Sequence, residues 1–293
     1  MINSNSKSLH TITFLIILLS LIASLTGLIY TTAGESHDFV NQYGDTVNMY
    51  GSGLYEYDSS FVVPIFRGTD FTILFIAIPL LIIALLLDMK KNTMKYRLLL
   101  TSVISAFTYY AASIAFGVTY NSLHLVYIAL FSASIFGLIV AIASLDKKQL
   151  EESISPSLKY KGIYRFLVIT GIALTIAWLP DIISALLAGR PLLLIETYTT
   201  SVTNILDIGI ITPVAFIALS LLKKRKGMGY ILLGMLLTTC VIMGIMLPIQ
   251  SVFQTLAGIT IPVPALVIKV GIFVALAVFA FYFNFKLFKN IKT

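Results

Sequence analysis

Apolar residues come in runs of about twenty along this chain, broken by short polar stretches, the pattern a helix needs to cross a hydrocarbon layer of roughly 30 Å. Eight runs occupy residues 11–32, 69–88, 96–118, 122–145, 164–187, 198–222, 228–250 and 265–287. They predict an all-α, polytopic integral membrane protein of about eight transmembrane helices, forming one membrane domain over residues 1–293. The first run, Thr11 to Thr32, is longer than the roughly 7–15 residues of a secretory signal core and is expected to remain as an anchor. The longest polar stretch, 33–68, is an expected outside loop. Its tyrosines, Tyr43, Tyr50, Tyr55 and Tyr57, suit the headgroup level and predict a cap or lid.

The runs also resemble one another. Shifting the chain by 134 positions lays Thr69–Leu99 on Thr203–Leu233 without a gap, with twelve identities in 31 positions. Pro79 falls on Pro213 and Tyr96 on Tyr230, pairings that an apolar composition does not produce by itself. A weaker match sets Phe14, Leu15 and Ile17 on Phe166, Leu167 and Ile169. The expectation is a parallel four-plus-four repeat, halves 1–145 and 164–287, related by a pseudo-twofold axis along the membrane normal. Both prolines lie mid-span, where a missing amide hydrogen kinks a helix.

Composition excludes the alternative of a soluble fold. Hydrophobic residues make up 58% of the 293 positions and charged ones 11%, against about 25% charged in soluble domains. The net charge of +7 raises the question of nucleic acid, and position answers it. With the amino terminus inside, 17 of the 20 Lys and Arg residues fall in inside segments, leaving Arg67 and Arg190 outside and Lys269 within the last span. That asymmetry is the positive-inside signal, so both termini are expected in the cytoplasm of a prokaryotic plasma membrane, with the bilayer rather than nucleic acid as the partner.

No phosphate-binding loop, dinucleotide fingerprint, zinc-protease or nucleophile-elbow motif is present, and His10, His37, His124 and Cys240 have no metal-ligand spacing. No cofactor and no metal are expected. The stretch Ile268-Lys269-Val270-Gly271-Ile272 resembles the lysine motif in the last helix of microbial rhodopsins. Ala265 stands where that family has an aspartate, so retinal is not expected.

Ionisable groups inside spans are costly, and here they gather toward the outside. Asp207 is the deepest, about 13 Å past Tyr198 at the helical rise, with Lys269 as its expected countercharge. Glu196, Thr200, Thr203 and Asp207 follow the spacing of one helix face, with Asn204 beside it. Gln250, Gln254, Asp70 and Thr69 are the expected facing groups, and Asp181 and His124 lie at the same level. The inner halves offer only hydroxyls, Cys240 and Asn284. Two functions fit this distribution: an outward-facing pocket that binds or transports a small polar or lipid-like molecule, or a non-catalytic membrane subunit or sensor with an extracytoplasmic recognition loop. The residues name no reaction.

Overall fold

The computed structural model describes residues 6–260 and 266–292, with backbone alone at 266, 268 and 269. Eight helices are long and apolar enough to cross a membrane: span one Ser6–Ile29, two Val63–Lys91, three Met94–Gly117, four His124–Ala143, five Tyr160–Leu187, six Val202–Lys223, seven Gly227–Leu256 and eight Ile272–Lys289. The chain is a multi-pass membrane protein. Helices are the form such sequences must take, because each backbone donor then finds its acceptor within the same segment. Side chains such as Leu125, Phe136 and Phe281 are exposed on the rim, where lipid is their solvent.

All eight expected runs are helical, with shifted ends. Span two begins six residues earlier than the apolar run and span six four residues later. Turns at one end carry most of the lysines. Asn92 closes span two in the left-handed region at φ 46°, a conformation asparagine tolerates, and the chain turns directly into span three. This is the basic end; the opposite end carries the long loop.

Within the first four spans, one packs on two and four, and three packs on two and four. The last four repeat this cyclic order. Where the two groups meet, span three lies against span seven, and the cross pairs are two with seven and three with six. Ser105 and Thr239, 134 positions apart, meet hydroxyl to hydroxyl at 3.3 Å. Gly68 of span two sits so near Gln250 that a Cβ there would come 2.6 Å from its Cα. Across the other cross pair, Gly117 of span three faces Val202 of span six, the residue 134 positions after Gly68, at 3.7 Å by the same measure.

Spans two and six each depart from α geometry at the same offset, and a further π-helical segment, Leu266–Gly271, leads into span eight. Ile73–Ala77 in span two and Asp207–Ile211 in span six are π-helical. The amide of Ile78 donates to the Ile73 carbonyl and that of Thr212 to the Asp207 carbonyl, five residues back in each case. Pro79 and Pro213 follow at once, in the first turn of the resumed α-helix. A proline orphans a carbonyl one turn earlier, and a widened turn is one way to accommodate it.

The loop between spans one and two is folded, a feature the polar composition of 33–68 does not reveal. His37–Val40 (β1) pairs antiparallel with Thr46–Met49 (β2) across a turn in which Gly44 adopts φ 87°. The Asn41 side chain braces that turn, accepting from the amides of Tyr43 and Asp45 and donating to the Glu196 carbonyl. Asp58, 1% exposed, ties the cap to the helices: one carboxylate oxygen accepts from the Thr119 amide at 3.0 Å and the Tyr198 hydroxyl at 2.8 Å. Burial raises its pKa above the usual 3.8, and these two bonds only partly offset that. Burial, and then the Asp58 charge, holds Tyr198 protonated as a donor.

The basic end contradicts the expectation that inner halves carry only hydroxyls and a few neutral groups. Asp88 and Arg97 are buried there, 1% and 0% exposed, and paired at 2.9 Å. His10 Nε2 lies 2.8 Å from the same carboxylate, and Arg97 donates to Ser6. The pair was hidden because Asp88 ends one apolar run and Arg97 opens the next, among lysines, where both look like hydrated turn residues. At the offset of 134 the same positions hold Leu222 and Ile231, both fully buried.

Two outcomes follow from these observations. Arg97→Met should lower stability by about 3–5 kcal/mol, because it leaves a buried carboxylate short of its partner. Asp88→Leu with Arg97→Ile, the apolar pair of the other half, should recover most of that loss, measured by denaturation in detergent. At the cap, a carboxyl whose folded pKa is raised contributes stability below its unfolded pKa and loses it as pH rises through the folded value. Asp58→Asn keeps an oxygen for both donors, so it should flatten the fall in cap stability between acid and neutral pH. Asp58→Ala should cost about 1–3 kcal/mol at every pH. Hydrogen exchange at Thr119 reads both variants.

Candidate functional site

The polar groups near the hairpin end form two clusters on opposite sides of span three. Adjacent residues on a helix point about 100° apart. Tyr110 accordingly turns into the first four spans and Tyr109 into the last four.

The first cluster surrounds Asp70, which is 2% exposed in the opening turns of span two. Tyr55, which enters from the cap, donates to its carboxylate at 2.6 Å. Burial, then Asp70, Tyr127 and Tyr110, raise the Tyr55 pKa well above 10.0, so this hydroxyl stays a donor. Gly27 of span one is what lets the pair form, since a methyl there would overlap the Asp70 carboxylate. The Tyr110 hydroxyl, buried in the same region, has no hydrogen-bond partner among the described residues. Tyr127 receives a bond from Asn121 at 3.4 Å. The cap thus plugs the first half through one tyrosine.

The second cluster surrounds Asp207. Its two carboxylate oxygens accept from the Tyr109 hydroxyl and from Trp178 Nε1, each at 2.8 Å. Spans three, five and six therefore converge on one anion, which is 5% exposed. Span six starts at Val202, so Asp207 is five residues in, or about 8 Å, shallower than counting from Tyr198 implied. Its position on the π turn separates it from regular helical neighbours. Asn204 points inward one turn earlier, 8% exposed, and its side-chain oxygen has no hydrogen-bond partner among the described residues.

Other expected site residues are dispersed. The stripe Glu196, Thr200, Thr203 and Asp207 does not form, because residues before Val202 are turns and Thr203 faces outward. Gln250 donates to Thr69 of span two at 2.7 Å, and Gln254 donates to the Phe61 carbonyl at 3.4 Å. Gln250 thus serves the contact of spans two and seven, and Gln254 the turn that leads into span two, rather than span six. Asp181 is exposed on span five. His124 opens span four, half-buried, its ring 5.0 Å from that of Tyr120. The side chain of Lys269, the expected countercharge of Asp207, lies outside the described residues. The carboxylate's donors Tyr109 and Trp178 went unrecognised at the sequence level. The available signals were a Tyr-Tyr pair inside an apolar span and the only tryptophan of the chain.

The halves also differ in closure. Spans one and four run backbone against backbone. Spans five and eight approach only sparsely among the described residues, meeting through Phe166 and Phe283 at 5.5 Å and through Trp178 and Phe273 at 6.5 Å. A Cβ added at Gly209, on the π turn of span six, would meet nothing within 4 Å.

Comparison with known proteins finds no matching family, no matching curated protein and no matching solved structure, so the site's own chemistry carries the functional reading.

Proposed function

We propose that the Asp207 cluster is the working site of this protein: it binds, as a permease or receptor does, a small polar or amphiphilic molecule that presents a cation or hydrogen-bond donor. The observation that carries this is the pairing of a buried carboxylate, still rich in lone pairs after two bonds, with the unpartnered oxygen of Asn204 one turn away. Both are acceptors, and Tyr109 and Trp178 add aromatic faces that favour a cation. The sparse contact of spans five and eight supports entry from the side, through the lipid. Asp70, plugged by Tyr55, is on this reading the structural counterpart.

Trp178 makes the idea directly measurable. The protein in lipid nanodiscs is titrated with choline, ethanolamine, spermidine and alkylammonium amphiphiles while tryptophan emission is followed. At least one probe should give a saturable change, weakened about tenfold or more in Asp207→Asn, where a charged contact is lost, and unchanged in Asp70→Asn. Equal responses of wild type and Asp207→Asn, or none to any probe, would reject the reading.

The same proposal includes a duplicated architecture with its basic end in the cytoplasm. Support for the duplication comes from the common offset of 134 in the sequence match, the two π turns and the Ser105–Thr239 contact. Support for the orientation comes from the lysine-rich turns. In intact cells, a cysteine placed at Gln42 of the hairpin should react with a membrane-impermeant maleimide, and one at Ser157 should not. The reverse pattern would invert the topology.

A further inference from the structure

Where span eight ends at the basic end, the chain's last described residues fold back beside the segment that joins spans four and five. Ile291 bridges to Ile154, the Lys292 amide donates to the Ser153 carbonyl, and the Ser157 hydroxyl donates to Asn290 at 2.8 Å. These bonds fix a depression of about 570 Å³. Three lysines, Lys286, Lys289 and Lys292, line it beside Ser155 and Ser157, and no carboxylate is among its described lining residues. Lys286 is held in place over the Tyr282 ring at 4.4 Å.

From this we infer that the depression is a binding site for the phosphodiester headgroup of an anionic phospholipid. Charge fits: three lysines line a space with no carboxylate among its described lining residues, at the level where headgroups lie. Size fits as well, since sites for small molecules run from roughly 300 to 1,000 Å³. Its membrane-side wall decides between a lipid and a free phosphate. Tyr282 and Phe285 line it, and with Phe281 they are half to two-thirds exposed, giving an apolar track down span eight along which acyl chains can lie. A second depression, about 490 Å³, sits at the matching end of span four, walled by Ile139, Ile142 and Leu145 with Lys147 as its one cation. It offers a built-in contrast: similar volume, also at the basic end, one charge instead of three.

Native mass spectrometry of the full chain tests this after reconstitution in phosphatidylcholine nanodiscs containing a minority of phosphatidylglycerol. Wild type should retain phosphatidylglycerol in preference to phosphatidylcholine. Replacing Lys286, Lys289 and Lys292 with Gln should cut that preference about tenfold, while Lys147→Gln and a triple Gln variant at Lys223, Lys224 and Lys226 should leave it. If the triple variant fails to accumulate, Lys289→Gln alone, at an exposed position, should still lower the preference about threefold. Equal losses in both triple variants, or no preference in wild type, would overturn the site. Inorganic phosphate should leave the lipid bound; complete displacement by phosphate would overturn the lipid assignment in favour of a free-anion site.

Discussion

Hydrocarbon cannot accept or donate a hydrogen bond, and almost every particular of this protein answers to that. The backbone meets the demand by being helical. Where prolines interrupt the ladder in spans two and six, a widened turn precedes each of them. The four carboxylates drawn into the structure meet it through named donors: Tyr55 for Asp70, Tyr109 and Trp178 for Asp207, Thr119 and Tyr198 for Asp58, Arg97 and His10 for Asp88. Three of these arrangements rely on a tyrosine, whose ring tolerates an apolar setting while its hydroxyl serves the anion.

The same demand is answered unequally in the two groups of four spans. The first is closed: span one packs on span four, the cap covers one end, and a buried ion pair fastens the other. In the second, Leu222 and Ile231 replace that ion pair, no comparable cap is seen among the described residues, and spans five and eight touch sparsely. On the proposed reading, a closed group beside a more sparsely packed one suits a site that must open to admit a ligand, since opening draws on the less tightly packed elements.

Much of this architecture was legible in the residues. Span number followed from run length. What stayed hidden had local causes. The hairpin rests on Asn41 and Gly44 in a strongly polar loop whose strands are only four residues long, too short for alternation to stand out. Asp88 and Arg97 looked like hydrated ends because nothing in a linear pattern marks which turn residue folds inward. The face of span six was misread since Thr200 and Glu196 precede the helix, and helical spacing means nothing outside one. Asp207 was singled out as the deep carboxylate, and it is buried though shallower than expected; its partners were not singled out, because they come from spans three and five, far away along the chain.

The π turns carry one more implication. Each holds a surplus residue relative to an α-helix, and a surplus residue rotates everything beyond it by about 100°. The hairpin-side stubs of spans two and six are therefore set in azimuth by a single residue each. Remove one from Ile73–Ala77 and the stub bearing Asp70 swings away from Tyr55; remove one from Asp207–Ile211 and Asn204 turns from the interior toward lipid. Angular phase, as much as residue identity, decides which side chains this membrane protein keeps inside.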